Sequence, residues 1–66
     1  ASFVLYPDND RIIVSARSMG DVNVQMILEP LGGGGNTATA GAQITGKSIK
    51  EVLDDLVISI DRFYEE

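Results

Sequence analysis

The sequence predicts an α/β domain: a small mixed β-sheet covered by helices, in two layers, with the element order β-β-α-β-α. Three observations predict it. Two runs near the start alternate or concentrate β-branched residues, an uncharged glycine-rich stretch occupies the middle, and a long run of helical period closes the chain. The third strand returns after a helical crossover, which is why a mixed sheet is expected.

Phe3-Val4-Leu5-Tyr6 reads as the first strand, ended by the turn formers Pro7-Asp8-Asn9-Asp10. Arg11 to Ser18 follows, with Ile12, Val14 and Ala16 on one face and Arg11, Ile13, Ser15 and Arg17 on the other. The short connection predicts an antiparallel hairpin. Met19-Gly20-Asp21 breaks the alternation, and Asp21 is the expected cap of a short helix through Val22, Val24 and Gln25 to Leu28. Pro30 ends regular structure before the glycines. Beyond them, Asn36 is the expected N-cap of one helical turn from Thr37 to Ala40, and Gly41 to Thr45 reads as the third strand, closed by a turn at Gly46-Lys47.

The last element carries the clearest signal. Ser48 and Glu51 have the spacing of a capping box, in which each side chain satisfies the other residue's amide. Ile49, Val52, Leu53, Leu56, Val57, Ile60, Phe63 and Tyr64 then recur at helical spacing. Glu51, Asp54, Asp55 and Asp61 read as the solvated face. Asp54 and Asp55 are adjacent on the helix and point apart, which is poor geometry for a shared metal.

Composition narrows the function. With 66 residues the chain is one domain, and a core of this size buries only about 60% of the unfolded chain's surface. It has no cysteine and no histidine, so apolar packing must stabilise it without disulfides or the usual zinc ligands. The net charge of −5, from ten acidic and five basic residues, argues against a broad electrostatic grip on nucleic acid. No apolar run approaches the roughly 20 residues that span a bilayer. No nucleophile–base pair stands out, so autonomous catalysis is not expected.

The glycines demand a reason. Four in a row, Gly32 to Gly35, cost more backbone entropy to order than any other residues would. The cost is offset either by N–H groups aimed at an anion or by close approach of chain to chain. No charged residue lies from Gly32 to Gly46, so a cation for such an anion must come from elsewhere in the chain. Arg17 is the cation that immediately precedes the first helix, and a guanidinium grips phosphate through two parallel hydrogen bonds. A surface ion pair with Asp21 explains it equally well. Lys47 and Lys50 read as solvated. Thr37 and Thr39 suit a ligand contact or ordinary turn and strand positions. Asp8 and Asp10 are explained by their turn.

Ile13-Val14-Ser15-Ala16-Arg17-Ser18, Val22-Asn23-Val24-Gln25, Leu31-Gly32-Gly33-Gly34-Gly35 and Ala40-Gly41 together resemble the DHHA1 domain of DHH-family phosphoesterases. The resemblance runs from Phe3 through the last helix. The Ser-Ala-Arg-Ser strand end and the long glycine run are most similar to the GdpP-type cyclic-di-AMP phosphodiesterases. The resemblance implies a substrate-binding domain, residues 1–66, that is a C-terminal fragment of a larger protein. It implies that Arg17, Ser18, Gly33, Gly34, Gly35 and Asn36 contact a nucleotide phosphate, and that manganese sits in a separate DHH domain. The family usually has histidine where this chain has Asn36, and an amide cannot carry the positive charge of imidazolium. The implied partners are a cyclic dinucleotide or other small nucleotide, the parent's own DHH domain and, as an alternative, short RNA. A degenerate structural or dimerisation module is the other alternative. The implied location is the cytoplasm, with any membrane anchor elsewhere in the parent.

Overall fold

The computed structural model describes residues 1–65. Strand β1 (Ser2–Asp8) and strand β2 (Arg11–Arg17) form the expected antiparallel hairpin, in a register that sets Asp8 opposite Arg11 and Ser2 opposite Arg17. The two-residue connection works because Asn9 takes a φ of 57°, a left-handed conformation that asparagine tolerates. Helix α1 (Val24–Leu28) leads into a 3-10 turn over Glu29–Leu31, then strand β3 (Gly34–Gly35), strand β4 (Thr39–Thr45) and helix α2 (Ile49–Glu65). The fold class is the expected one, two layers in the order β-β-α-β-α, with the two-residue β3 added inside the glycine run.

The sheet order is β1-β2-β4-β3, and every neighbouring pair is antiparallel. The expected mixed sheet is therefore corrected. Five helical residues advance only about 7.5 Å, whereas a parallel return must span a whole strand of roughly 23 Å. The chain leaves β2 at Arg17 and enters β4 directly opposite, at Thr39.

Two local expectations also change. Asn23, not Asp21, caps α1: its side chain accepts the Met26 N–H at 3.1 Å. Residues 37 and 38 are not helical, and β4 begins at Thr39 rather than Gly41. The capping box holds, with the Ser48 amide donating to Glu51 Oε1 at 3.0 Å and the Glu51 amide donating to Ser48 Oγ at 3.2 Å.

Both helices cover one face of the sheet. The core joins Ile12, Val14 and Ala16 of β2 with Ala40 and Ala42 of β4, Val24, Ile27 and Leu28 of α1, and Val52 and Leu56 of α2. Full burial of each larger side chain contributes about 1.5–3 kcal/mol. α1 packs over β4 and against α2, and α2 packs against β1. Ser59, buried on α2, donates its hydroxyl to the Ile27 carbonyl and ties the two helices together. The opposite face of the sheet, with Val4, Tyr6, Ser15, Arg17, Thr39, Gly41 and Gln43 exposed on it, carries no helix.

Candidate functional site

Arg17 and Ser18 lie at one end of that uncovered face; Asn36, Gly33, Gly34 and Gly35 lie beside that end and do not line the depression found there. Alternation along β2 buries Ile12, Val14 and Ala16 against the helices, so Arg17 belongs to the open face, and its register partner Thr39 belongs there too. A depression of about 440 Å³ lies at this end, lined by Ser2, Arg17, Ser18, Met19, Ala38 and Thr39 among others. The structure thus brings Arg17 and Ser18 beside the turn that leaves the glycine run.

Three contacts hold that turn in place. The Asn36 amide donates to the Thr39 carbonyl at 2.8 Å, and Asn36 Oδ1 accepts the N–H groups of Ala38 and Thr39 at 3.0 and 2.9 Å. The expectation of Asn36 as a helix cap is corrected to a turn-closing role between β3 and β4. The same chemistry serves both, since a short amide side chain that accepts nearby backbone N–H groups stabilises turns and helix starts alike. With Oδ1 occupied twice, the Nδ2 group keeps hydrogen-bonding capacity to spare.

Neighbouring segments brace the turn. Ser18 N–H donates to the Ala38 carbonyl at 2.8 Å, and Val24 N–H to the Thr37 carbonyl at 3.2 Å. Ser18 is only 9% exposed, and its hydroxyl accepts the Gly20 N–H at 3.3 Å. The amide and hydroxyl of Ser18 are therefore committed within the chain, and their effect is to fix the end of β2, where Arg17 stands, against the turn.

The four glycines have different reasons. Gly32 closes the 3-10 turn at a φ of 84°, with its N–H donating to the Glu29 carbonyl at 2.9 Å. At Gly33 a Cβ would come 2.7 Å from the Gly41 carbonyl oxygen and 3.0 Å from the Cβ atoms of Ala42 and Leu28. At Gly35 it would collide with the Thr39 carbonyl oxygen and lie 2.7 Å from Ala40 Cα. Gly34 alone of the four has neither reason: its φ is not positive, and a Cβ would meet nothing within 4 Å. Its register partner Gly41 lies on the open face, so this pair leaves backbone uncovered beside the row of Arg17 and Thr39. β3 is also one of the sheet's two edge strands, paired with β4 on one side only.

Thr39 and Met19 join the site without having been singled out as site residues by the sequence. Thr39 was legible as either a ligand contact or an ordinary position. Met19 is fully exposed at the rim of the depression. Its signal in the sequence is an apolar residue, between Ser18 and Gly20, that fits neither the strand's alternation nor the helix's period. The other cations lie elsewhere. Arg11 pairs with Asp8 at 3.5 Å and reaches Gln43 Oε1 at 3.0 Å, at the far end of β2. Lys47 pairs with Asp55 at 2.6 Å, and that hydrogen bond holds its pKa above the ordinary lysine value. Among the described residues, no three His, Cys, Asp or Glu side chains converge to hold a metal ion. No described helix is long and apolar enough to cross a membrane.

The model of the DHHA1 domain family matches residues 1–66. The chain is 46% identical over 66 residues to the cyclic-di-AMP phosphodiesterase GdpP of Bacillus subtilis, covering 98% of the chain and 10% of that protein. It is 42% identical over 66 residues to the cyclic-di-AMP phosphodiesterase PdeA of Listeria monocytogenes and 44% identical to the GdpP of Geobacillus thermodenitrificans, again with 98% of the chain and 10% of each relative covered. The chain therefore spans about a tenth of the length of the curated relatives it matches.

Proposed function

This chain belongs to the DHHA1 domain family, and from that we propose that it is the substrate-side domain of a cyclic-dinucleotide phosphodiesterase. Its task is to bind and orient a nucleotide phosphate. The observation that carries this reading is Gly34, a glycine on the open face with no conformational or packing reason within the fold, two strands over from Arg17 in the register row of Ser15 and Gly41.

Each residue has a part. Arg17 supplies the positive charge, in two parallel hydrogen bonds to phosphate oxygens. Gly34 keeps the open face of β3 free of a side chain, so that a nucleotide can approach the backbone closely, while Gly33 and Gly35 let the glycine run pack against β4 and α1. Asn36 offers its Nδ2 donors while its Oδ1 fixes the turn. Ser18 holds the Arg17 end of β2 against the same turn. Hydrolysis belongs to a DHH domain outside this chain, where manganese would activate water. The contribution made here is positioning, which can lower a barrier by several kcal/mol. Such a protein works in the cytoplasm, where its nucleotide substrate is found.

Short RNA is the weaker substrate class. Ten acidic residues against five basic ones supply no extended phosphate-tracking surface. The test is equilibrium binding of cyclic-di-AMP to the phosphodiesterase that carries this domain, with and without Gly34→Val. Loss of affinity with an unchanged melting temperature supports the proposal. Unchanged affinity overturns it and leaves the glycine run a structural connector.

A further inference from the structure

The open face of the sheet carries a second depression, apart from the one beside Arg17. It has a volume of about 430 Å³ and is lined by Tyr6, Ile13, Ser15, Gly41 and Gln43 among others. The strand register puts three of these in one row across the face, Tyr6 of β1 beside Ile13 of β2 beside Gln43 of β4. Tyr6 is 47% exposed, so much of its ring is offered to solvent. Beside Ile13 it makes an apolar wall on which a planar base can stack. This row stands four residues along β2 from Arg17, about 14 Å in an extended strand. Between the two lies the row of Ser15, Gly41 and Gly34, where no bulky side chain blocks the way.

Gln43 says which base fits. Arg11 Nη1 donates to Gln43 Oε1 at 3.0 Å, and Arg11 is itself held by Asp8 at 3.5 Å. A guanidinium has donors only, so the Gln43 amide turns its oxygen toward Arg11 and keeps its Nε2 donors for a ligand. Gln43 then offers the second lone pair of Oε1 beside those donors. Adenine presents the matching pair on one edge, an N6 amino donor beside the N7 acceptor, whereas guanine presents two acceptors there, O6 and N7. Guanine would set its O6 against Gln43 Oε1. We propose that Tyr6 and Gln43 form an adenine-binding subsite, in which Tyr6 stacks on the base of a nucleotide whose phosphate lies at Arg17, and Gln43 reads the amino edge of that base. This subsite rests on the phosphate contact proposed above for Arg17 and Gly34.

Equilibrium titration of cyclic-di-AMP and of cyclic-di-GMP into the phosphodiesterase that carries this domain tests it, with the ratio of the two affinities as the readout. Gln43→Ala should weaken cyclic-di-AMP by about tenfold and leave cyclic-di-GMP little changed, so that the preference for adenine shrinks. Tyr6→Ala should weaken both by about tenfold, and Tyr6→Phe should keep both, because stacking uses the ring and not the hydroxyl. Unchanged melting temperatures separate lost binding from lost folding. A ratio unmoved by Gln43→Ala, or affinities unmoved by Tyr6→Ala, overturns the subsite, and if Arg17→Ala still weakens binding in the same titrations the phosphate contact stands without it. If Arg17→Ala is also without effect, the phosphate contact fails and the subsite fails with it.

Discussion

Arg17 stands directly across the β2–β4 register from Thr39, the residue whose N–H and carbonyl both bond to Asn36. One strand pairing thus carries the position of the candidate cation to the turn that closes the glycine run. Residues 17 and 36 are far apart in sequence, and the antiparallel sheet brings their segments together.

Glycine substitutions separate structural from functional positions. Gly35→Ala should lower stability by about 1–3 kcal/mol, because φ is 139° and the new Cβ meets backbone atoms. Gly34→Ala should change stability by less than about 1 kcal/mol. Urea denaturation of both variants measures the contrast, and equal losses would contradict the assignment.

Asn36 can be divided in the same way. Asn36→Asp keeps both acceptor bonds to Ala38 and Thr39, so the fold should be retained, while nucleotide affinity falls through lost donors and added negative charge. Asn36→Ala should cost about 1–2 kcal/mol of stability by leaving those N–H groups without their acceptor. Thermal melts and nucleotide titrations on the two variants give the two readouts independently.

Much of this was legible in the sequence, for identifiable reasons. The hairpin, the capping box and α2 follow from local chemistry: alternation at Ile12, Val14 and Ala16, and the Ser48–Glu51 spacing. The antiparallel return was not legible, because strand direction depends on how far α1 carries the chain, and Asn23 rather than Asp21 sets where α1 begins. Asn36 illustrates the same limit, since an asparagine before a polar run signals a turn and a helix start equally. The glycine run showed that a close approach was needed. Which glycine faces its own chain and which faces outward is decided by the β3–β4 pairing.

The capping box predicts a pH dependence. The Ser48 backbone amide, and then its hydroxyl, hold the Glu51 carboxyl below its ordinary pKa of 4.5. A carboxyl with a lowered folded pKa stabilises the fold above its unfolded value, and the contribution is lost as pH falls through the folded one. The stability difference between wild type and Glu51→Gln should therefore shrink as pH drops below about 4.5. A difference constant from neutral to acidic pH would contradict it.

The helix pair offers a check on the scaffold itself. Ser59→Ala removes the hydroxyl that donates to the Ile27 carbonyl and should destabilise by about 1 kcal/mol, whereas Leu56→Ala, in the core beneath, should cost about 2–5 kcal/mol. Neither change should alter nucleotide affinity at temperatures where the domain stays folded.

The most direct test of the account is titration of cyclic-di-AMP into the phosphodiesterase that carries this domain, comparing wild type with Arg17→Ala and Arg17→Lys. The account predicts a loss of about 10–100-fold for alanine, with only partial recovery by lysine, because an ammonium keeps the charge but not the paired geometry. Affinity unchanged in Arg17→Ala would contradict it.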